Sequence, residues 1–299
     1  MILLTGCTGF LGSRLLRRFL ADGEEVIALK RSTSSTTRID ADLAHPQLRL
    51  IDVDREDIAR AFDRFAIDTI VHAATQYGRE ATPLHTILEA NLILPLRLAE
   101  LGILQGTRCF INTDSYFNKN NSSYSSLLDY ALSKKSLLDW LRKLSPQIRI
   151  VNVMLEHIYG PYDAPSKFVE SLVRRIGVER VAQVPMTHGH QRRDFVYLED
   201  VVSAFVKLVD YGRHREFRLA TFEVGTGESL QIRDFALAVK RLANSSTDLC
   251  FGSIPYRSDE IMNSVADISP LLELGWRPAV GVEQGIAAIL AAYGAGTRG

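Results

Sequence analysis

Short apolar runs alternate with longer amphipathic stretches through the first half of the chain. Residues 2–4, 26–29, 48–51, 69–72, 109–112 and 148–154 are rich in branched side chains and bounded by turn or charged residues. That is the pattern of strands buried on both faces. Between them, residues 11–20, 84–101 and 126–144 repeat apolar positions at helical spacing. Strand–helix alternation predicts right-handed crossovers and an α/β fold built on a doubly wound parallel sheet.

Past His157 the regularity weakens, and Gly160, Pro161, Pro165, Pro185 and Gly189 punctuate the chain. We expect residues 1–156 to form the first domain, with segments returning to it from the second half. Residues 157–299 should then form a smaller, interleaved α/β lobe, with residues 294–299 as a frayed tail.

Composition narrows the classes of function. The chain has 299 residues, 46% hydrophobic and 23% charged, which is ordinary for a globular protein with a full core. Its formal net charge is zero, which argues against a general binder of nucleic acid or of anionic membranes. Cys7, Cys109 and Cys250 are too scattered for a disulfide framework or a zinc site, and the seven histidines show no ligand spacing, so no metal is expected. No apolar run reaches the length of a membrane span, and the glycine-rich segment begins too early for a signal peptide. A reducing, cytoplasmic location is the expectation.

Two segments carry chemistry. Gly6, Gly9 and Gly12 recur every three residues between the first predicted strand and the first predicted helix. Gly6 suits the tight turn, Gly9 the approach of a pyrophosphate, and Gly12 close packing of helix on strand. The phosphates would meet the free amides at the helix N-terminus, as in a Rossmann-type dinucleotide site. At the end of the second strand, where a site for NAD usually has an acidic residue, stand Lys30, Arg31 and Ser32. Two cations and a hydroxyl suit a 2′-phosphate, so NADPH is favoured over NADH. Asp52, after the third strand, is a candidate for the adenine amino group.

The second segment holds Tyr130 and Lys134, four residues apart and therefore on one helix face. A tyrosine titrates near pH 10 when unperturbed, and a neighbouring ammonium with an oxidised nicotinamide is expected to lower that value. Such a phenol can exchange a proton with a carbonyl or alcohol. A hydroxyl should then bond the oxygen where charge develops, and Thr113 and Ser115 are the candidates.

Together these motifs resemble those of the extended short-chain dehydrogenase/reductase family, whose members act mostly on nucleotide-activated sugars. Residues 5–12 resemble its glycine motif, residues 68–74 its fourth strand, and Tyr130 with Lys134 its YxxxK pair. Asn91 falls on its helix asparagine. Tyr159-Gly160-Pro161, Arg193-Asp194-Phe195-Val196-Tyr197, Gly225-Thr226-Gly227 and Gly275-Trp276-Arg277-Pro278 resemble later motifs in the family's order. The resemblance implies that Tyr130 is the acid/base, that Lys134 tunes it and holds the nicotinamide ribose, and that Thr113 is the hydroxyl partner. It also implies cofactor contacts at Thr8, Phe10, Leu11, Val53, Ala73, Ala74 and Thr75. Tyr77, His157, Lys167, Arg193 and Arg257 are implied on the sugar-nucleotide side.

Departures from the family narrow the reaction. Sugar-nucleotide dehydratases carry a glutamate where Ser115 follows Thr113-Asp114, so dehydration is not expected. Glu156-His157 stands before the Tyr-Gly-Pro turn, where relatives often have asparagine. These features look most like the sugar-nucleotide 4-ketoreductases of the CDP-abequose and CDP-paratose synthase type, which serve lipopolysaccharide O-antigen. The resemblance implies reduction of a 4-keto deoxyhexose linked to a nucleotide, CDP favoured, by NADPH. A 4-epimerase with a retained cofactor and a non-catalytic nucleotide sensor are the alternatives. Homodimers are usual in the family, and residues 84–101 and 126–144 carry more apolar positions than one face needs.

Overall fold

The structure is a computed structural model that describes residues 1–78, 82–121 and 127–294. The start expected for the helix at Ser126, and the tail at residues 295–299, lie outside the described residues. Strand β1 (Ile2–Thr5) leads into α1 (Phe10–Ala21), followed by β2 (Val26–Lys30), β3 (Leu48–Asp52), α2 (Ala59–Arg64) and β4 (Thr69–His72). Next come α3 (Leu84–Leu88), α4 (Leu94–Leu104), β5 (Cys109–Ser115), α5 (Leu128–Leu144) and β6 (Arg149–Leu155). The chain continues with β7 (His157–Tyr159), α6 (Phe168–Val173), β8 (Gln183–Met186), β9 (Arg192–Arg193), β10 (Phe195–Tyr197) and α7 (Leu198–His214). After them lie β11 (Leu219–Val224), β12 (Leu230–Gln231), α8 (Ile232–Leu242), β13 (Asp248–Phe251), α9 (Ser269–Glu273) and α10 (Val282–Ala292).

Two compact units share these elements. The first comprises Met1–Met154 with Val202–Phe222, and the second Leu155–Val201 with the chain from Glu223 onward. The first unit holds the seven-stranded sheet, in the order β11-β6-β5-β4-β1-β2-β3. β1 pairs in parallel with β2 and β4, β2 with β3, and β4 with β5. This is the expected doubly wound sheet. Its order reverses between β1 and β4, and ligands of such sheets bind beyond the carboxyl ends of the strands at that reversal.

All six expected strands are present, and β5 runs three residues past its expected end through Thr113, Asp114 and Ser115. The helix expected over residues 84–101 is three pieces. A π turn at Glu89–Ile93 separates α3 from α4. Pro95 sits in the first turn of α4 and has no N–H to give the carbonyl one turn back, while Leu94 N reaches Glu89 O, five residues away. The wider turn holds Asn91, fully buried, whose side chain bonds Gln76 N at 2.7 Å, Gln76 O at 2.8 Å and Ser133 Oγ at 2.9 Å. Asn91 thereby ties the segment after β4 to α5.

In the second unit, Tyr159, Phe195 and Phe235 centre an apolar core, with Phe195 and Phe235 stacked at 4.2 Å between centroids. β7 and β10 pair in parallel, as do β8 and β13, whereas β9 and β12 pair antiparallel. Asp194, fully buried, accepts from Thr226 N and Oγ1 at 2.7 Å each, from Gly227 N at 3.0 Å and from Ala266 N at 3.1 Å. That carboxylate is what joins the Arg193-Asp194-Phe195 and Gly225-Thr226-Gly227 segments, which the sequence displays only as separate motifs.

The turn after β1 packs tightly on the start of α1. A Cβ on Gly12 would lie 2.0 Å from Gly6 O, a backbone atom with nowhere to move. Gly12→Ala should destabilise the first unit by about 1–3 kcal/mol or more. Urea unfolding would measure it, and an unchanged midpoint would contradict the packing described.

Candidate functional site

The nucleotide side of the site is built on the turn between β1 and α1. Gly6 has φ 71°, and a Cβ there would sit 2.6 Å from Ala74 N and 2.8 Å from Ala73 C. Thr5, buried at the end of β1, holds the same neighbours: its Oγ1 accepts from Ala73 N at 3.1 Å and Ala74 N at 3.0 Å. The Thr5 proton then points to His72 Nδ1, 2.9 Å away. Burial, and then Lys134, hold the His72 imidazole well below its ordinary pKa, so it stays neutral. These contacts set Ala73 and Ala74 beside the glycine turn, and the next residue, Thr75, donates to Asn91 Oδ1 at 3.4 Å.

The residues fit a dinucleotide. Gly9 is the extended N-cap of α1 and has no side-chain cap, so the first amides of the helix are left to a ligand. A Cβ on Gly9 would meet a single protein atom within 4 Å, Gly6 O at 3.1 Å. Thr8, Phe10 and Leu11, which flank Gly9, are half-buried. At the end of β2, Lys30 Nζ donates to Asp52 Oδ2 at 3.0 Å, and Ser32 Oγ donates to the same oxygen at 2.8 Å. Burial raises the Asp52 pKa, but the bonds from Ser32 and Lys30 outweigh it and hold the carboxyl below its ordinary range. Val53 N bonds Lys30 O at 2.9 Å. Arg31 is exposed beside them.

The proton-transfer side lies at the end of β5 and on α5, in the same unit. Tyr130 and Lys134 are 5% and 1% exposed. The Tyr130 ring stacks on Tyr77 at 4.9 Å, with Phe117 edge-on at 6.2 Å, and its hydroxyl is hydrogen-bonded to Ser115. Lys134 Nζ donates to Thr113 O at 2.8 Å. Thr113 Oγ1 is buried with no partner among the described residues, so this hydroxyl remains available to a ligand oxygen. Both expected hydroxyls therefore belong to the cluster, in different states: Ser115 engaged with the phenol, Thr113 uncommitted.

The expected lowering of the Tyr130 pKa was for Lys134 acting together with an oxidised nicotinamide; in the protein alone the Tyr130 pKa stands well above its ordinary value. Burial is the main cause, Tyr77, Asp114 and Tyr116 add to it, and the Ser115 bond opposes it. Desolvation penalises the phenolate form. Tyr130 is thus kept as a phenol, a proton donor. Burial pushes Lys134 down to about 8, and Asp114 works against that. Asp114 was not singled out by the sequence reading, nor was Asn152, whose polar side chain interrupts the apolar run of β6. Burial raises the Asp114 pKa, and bonds from Asn152, Ser115 N and Asn118 oppose the rise.

The second unit holds the residues expected on the sugar-nucleotide side, apart from Tyr77. Arg193 is buried, donates to Arg192 O at 2.9 Å, and is also bonded to the Glu260 carboxylate and to Ile261 O. His157 N bonds Asp194 O at 3.0 Å. Burial, then Arg193 and Lys167, hold the His157 imidazole well below its ordinary pKa. Lys167 is half-buried and Arg257 exposed. Among the described residues no group of histidine, cysteine and carboxylate side chains could hold a metal ion, and no helix is long and apolar enough to cross a membrane.

Residues 2–225 match the NAD dependent epimerase/dehydratase family. The chain belongs to this family. It is therefore an enzyme of the extended short-chain dehydrogenase/reductase type that works with a nicotinamide cofactor. It is 34% identical over 295 residues to the CDP-abequose synthase of Salmonella muenchen, covering 97% of this chain and 96% of that one. It is 26% identical over 251 residues to a dTDP-4-dehydro-6-deoxy-D-allose reductase of a Streptomyces species, covering 74% and 76% of the two chains. Among solved structures, the UDP-glucose 4-epimerase of Thermus thermophilus in complex with NAD matches with a TM-score of 0.79 at 23% identity, over 98% of each chain. That likeness concerns the fold.

In this family member Lys134 weakens the cofactor-free fold. Its folded pKa, about 8, lies below its ordinary 10.5. The destabilisation is therefore complete below pH 8, fades between 8 and 10.5, and is absent above. At about 1.4 kcal/mol per pKa unit it is on the order of 3 kcal/mol. The bond to Thr113 O offsets about 1 kcal/mol of it. Lys134→Met should raise Tm at pH 7, with a net gain of roughly 1–2 kcal/mol that disappears by about pH 10.5. A lower Tm at pH 7 would contradict the electrostatic reading.

Proposed function

We propose that this enzyme is an NADPH-dependent ketoreductase that reduces the C4 carbonyl of a CDP-linked 4-keto-3,6-dideoxyhexose for surface polysaccharide. One observation carries the reading: Tyr130 is a buried phenol held protonated, beside one hydroxyl that bonds it and another, Thr113 Oγ1, that has no partner among the described residues. A buried proton donor is what a ketone needs as it becomes an alkoxide. Similarity to the CDP-abequose synthase supports the nucleotide and the sugar class.

Gly6, Gly9 and Gly12, with Thr8, Phe10 and Leu11, would hold the pyrophosphate, and Ala73, Ala74 and Thr75 would line the same groove. Lys30, Arg31 and Ser32 would take the 2′-phosphate. Asp52 already engages Lys30 and Ser32, so Arg31 is the cation left for that anion. When bound, the nicotinamide supplies the hydride that reaches C4. Tyr130 gives its proton to the C4 oxygen, and Thr113 donates a hydrogen bond to that oxygen. Ser115 holds the phenol in place. Lys134 orients the nicotinamide ribose and helps the phenolate regain a proton. Hydride and proton together convert the ketone to a secondary alcohol. Arg193, Arg257, Lys167, His157 and Tyr77 would bind the sugar nucleotide.

We read the protein as a homodimer that pairs the helices of residues 84–104 with α5. Ile93, Leu132 and Trp140 are 49%, 53% and 47% exposed there. A stripe of that size on two adjacent helices favours burial by a second copy.

Steady-state oxidation of NADPH and NADH by the purified protein with a CDP-4-keto-3,6-dideoxyhexose tests the assignment. We expect stoichiometric NADPH consumption, and a loss of at least about 10²-fold in kcat for Tyr130→Phe with NADPH binding retained. The double variant Lys30→Ala/Arg31→Ala should weaken NADPH about tenfold or more and NADH far less. Equal losses for both cofactors would contradict the 2′-phosphate role. Interconversion of another sugar nucleotide without net oxidation would indicate an epimerase instead.

A further inference from the structure

Asp114 is 2% exposed, and the proposed proton transfer gives it no task. Its Oδ2 accepts from Asn152 Nδ2 at 3.0 Å, and its Oδ1 from Ser115 N at 2.8 Å and Asn118 Nδ2 at 2.6 Å. The polar chain continues into the core: Asn112 Nδ2 donates to Asn152 Oδ1 at 2.8 Å. At its far end Asn112 Oδ1 is buried with no partner among the described residues.

A carboxylate only accepts, so Asp114 dictates the direction of both amides. Asn152 must turn its NH2 toward Asp114 and its oxygen toward Asn112, which leaves the Asn112 oxygen orphaned. An orphaned buried acceptor is destabilising. A neutral asparagine at position 114 could donate as well as accept and would leave the direction of both amides open, whereas the carboxylate fixes it.

The geometric link from that charge to the proton-transfer site runs through the backbone: Lys134 Nζ donates to the carbonyl of Thr113, the residue before Asp114. Asp114 on β5 acts on Lys134, and Lys134 acts on His72 of β4, which burial keeps neutral; Tyr130, one turn before Lys134 on its own helix, is a phenol stacked on Tyr77. We propose that Asp114 is the counter-charge that keeps Lys134 an ammonium ion, fixed in place by the Asn112–Asn152 amide chain. Asp114 is thus a positioning residue that acts through Lys134. Burial drives Lys134 toward the neutral amine, and Asp114 opposes it. In an interior of low dielectric such an interaction is strong without direct contact.

The proposal rests on Lys134 serving Tyr130, but the titration that decides it needs neither substrate nor cofactor. In protein carrying ¹³C-labelled lysine, the Lys134 Cε resonance, assigned by its loss in Lys134→Met, is titrated in wild type and in Asp114→Asn. We expect a wild-type midpoint near 8 and a midpoint at least about one unit lower in Asp114→Asn, a tenfold change in the dissociation constant. Asn118→Ala removes a donor and keeps the charge, so its midpoint should stay with wild type. The alkaline limb of kcat/KM should move to lower pH in Asp114→Asn alone. An unmoved Lys134 midpoint in Asp114→Asn would overturn the proposal even if kcat fell, because that pattern is a structural defect. Should Asp114→Asn fail to fold, the wild-type Asp114 carboxyl resonance decides. It must shift as Lys134 loses its proton, and an invariant resonance overturns the proposal.

Discussion

Desolvation at the end of β5 governs this site. Tyr130, Lys134, Asp114 and Ser115 are all buried in the first unit, so each must satisfy its polar atoms with neighbouring side chains or with backbone. Water would otherwise screen the ammonium and the carboxylate and leave the phenol near its ordinary pKa. Without it, the phenol is held as a proton donor and the ammonium is pushed toward neutrality. A group that must deliver a proton during reaction benefits from the first effect. The residue that helps to restore the proton is endangered by the second, and a fixed negative charge nearby answers it.

The scaffold sustains this burial by tying the site's segments together with polar side chains. Asn91 clamps the stretch after β4 to α5, and the π turn that presents it follows from Pro95 one turn on. Thr5 and His72 fix Ala73 and Ala74 against Gly6. In the second unit Asp194 does the same for the segments around Thr226 and Ala266. These are buried polar groups with several partners each, the arrangement that specifies a single geometry rather than adding much net stability.

Much of the first unit was readable from sequence because its signals are local. Strands buried on both faces declare themselves as apolar runs, and the glycine turn needs residues whose role follows from steric size. The length of β5 was not readable, since Thr113-Asp114-Ser115 looks like a loop until Asn152 is known to lie on the neighbouring strand. Asn152 itself was a signal, a polar residue inside the apolar run of β6. The break at residues 89–93 was equally hidden, although Pro95 marks its cause. The raised Tyr130 pKa of the protein alone was not readable either, because burial depends on the packed surroundings, whereas the spacing to Lys134 shows only proximity.

Hydride delivery to C4 is read out by isotope transfer. The enzyme would be given a CDP-4-keto-3,6-dideoxyhexose and NADPH carrying deuterium at the transferable C4 position of the nicotinamide, in ordinary water. We expect a product with one deuterium, bound to the sugar C4, formed in equal amount to oxidised cofactor. A product with no deuterium at C4, or cofactor recovered reduced after the sugar has changed configuration, would contradict it.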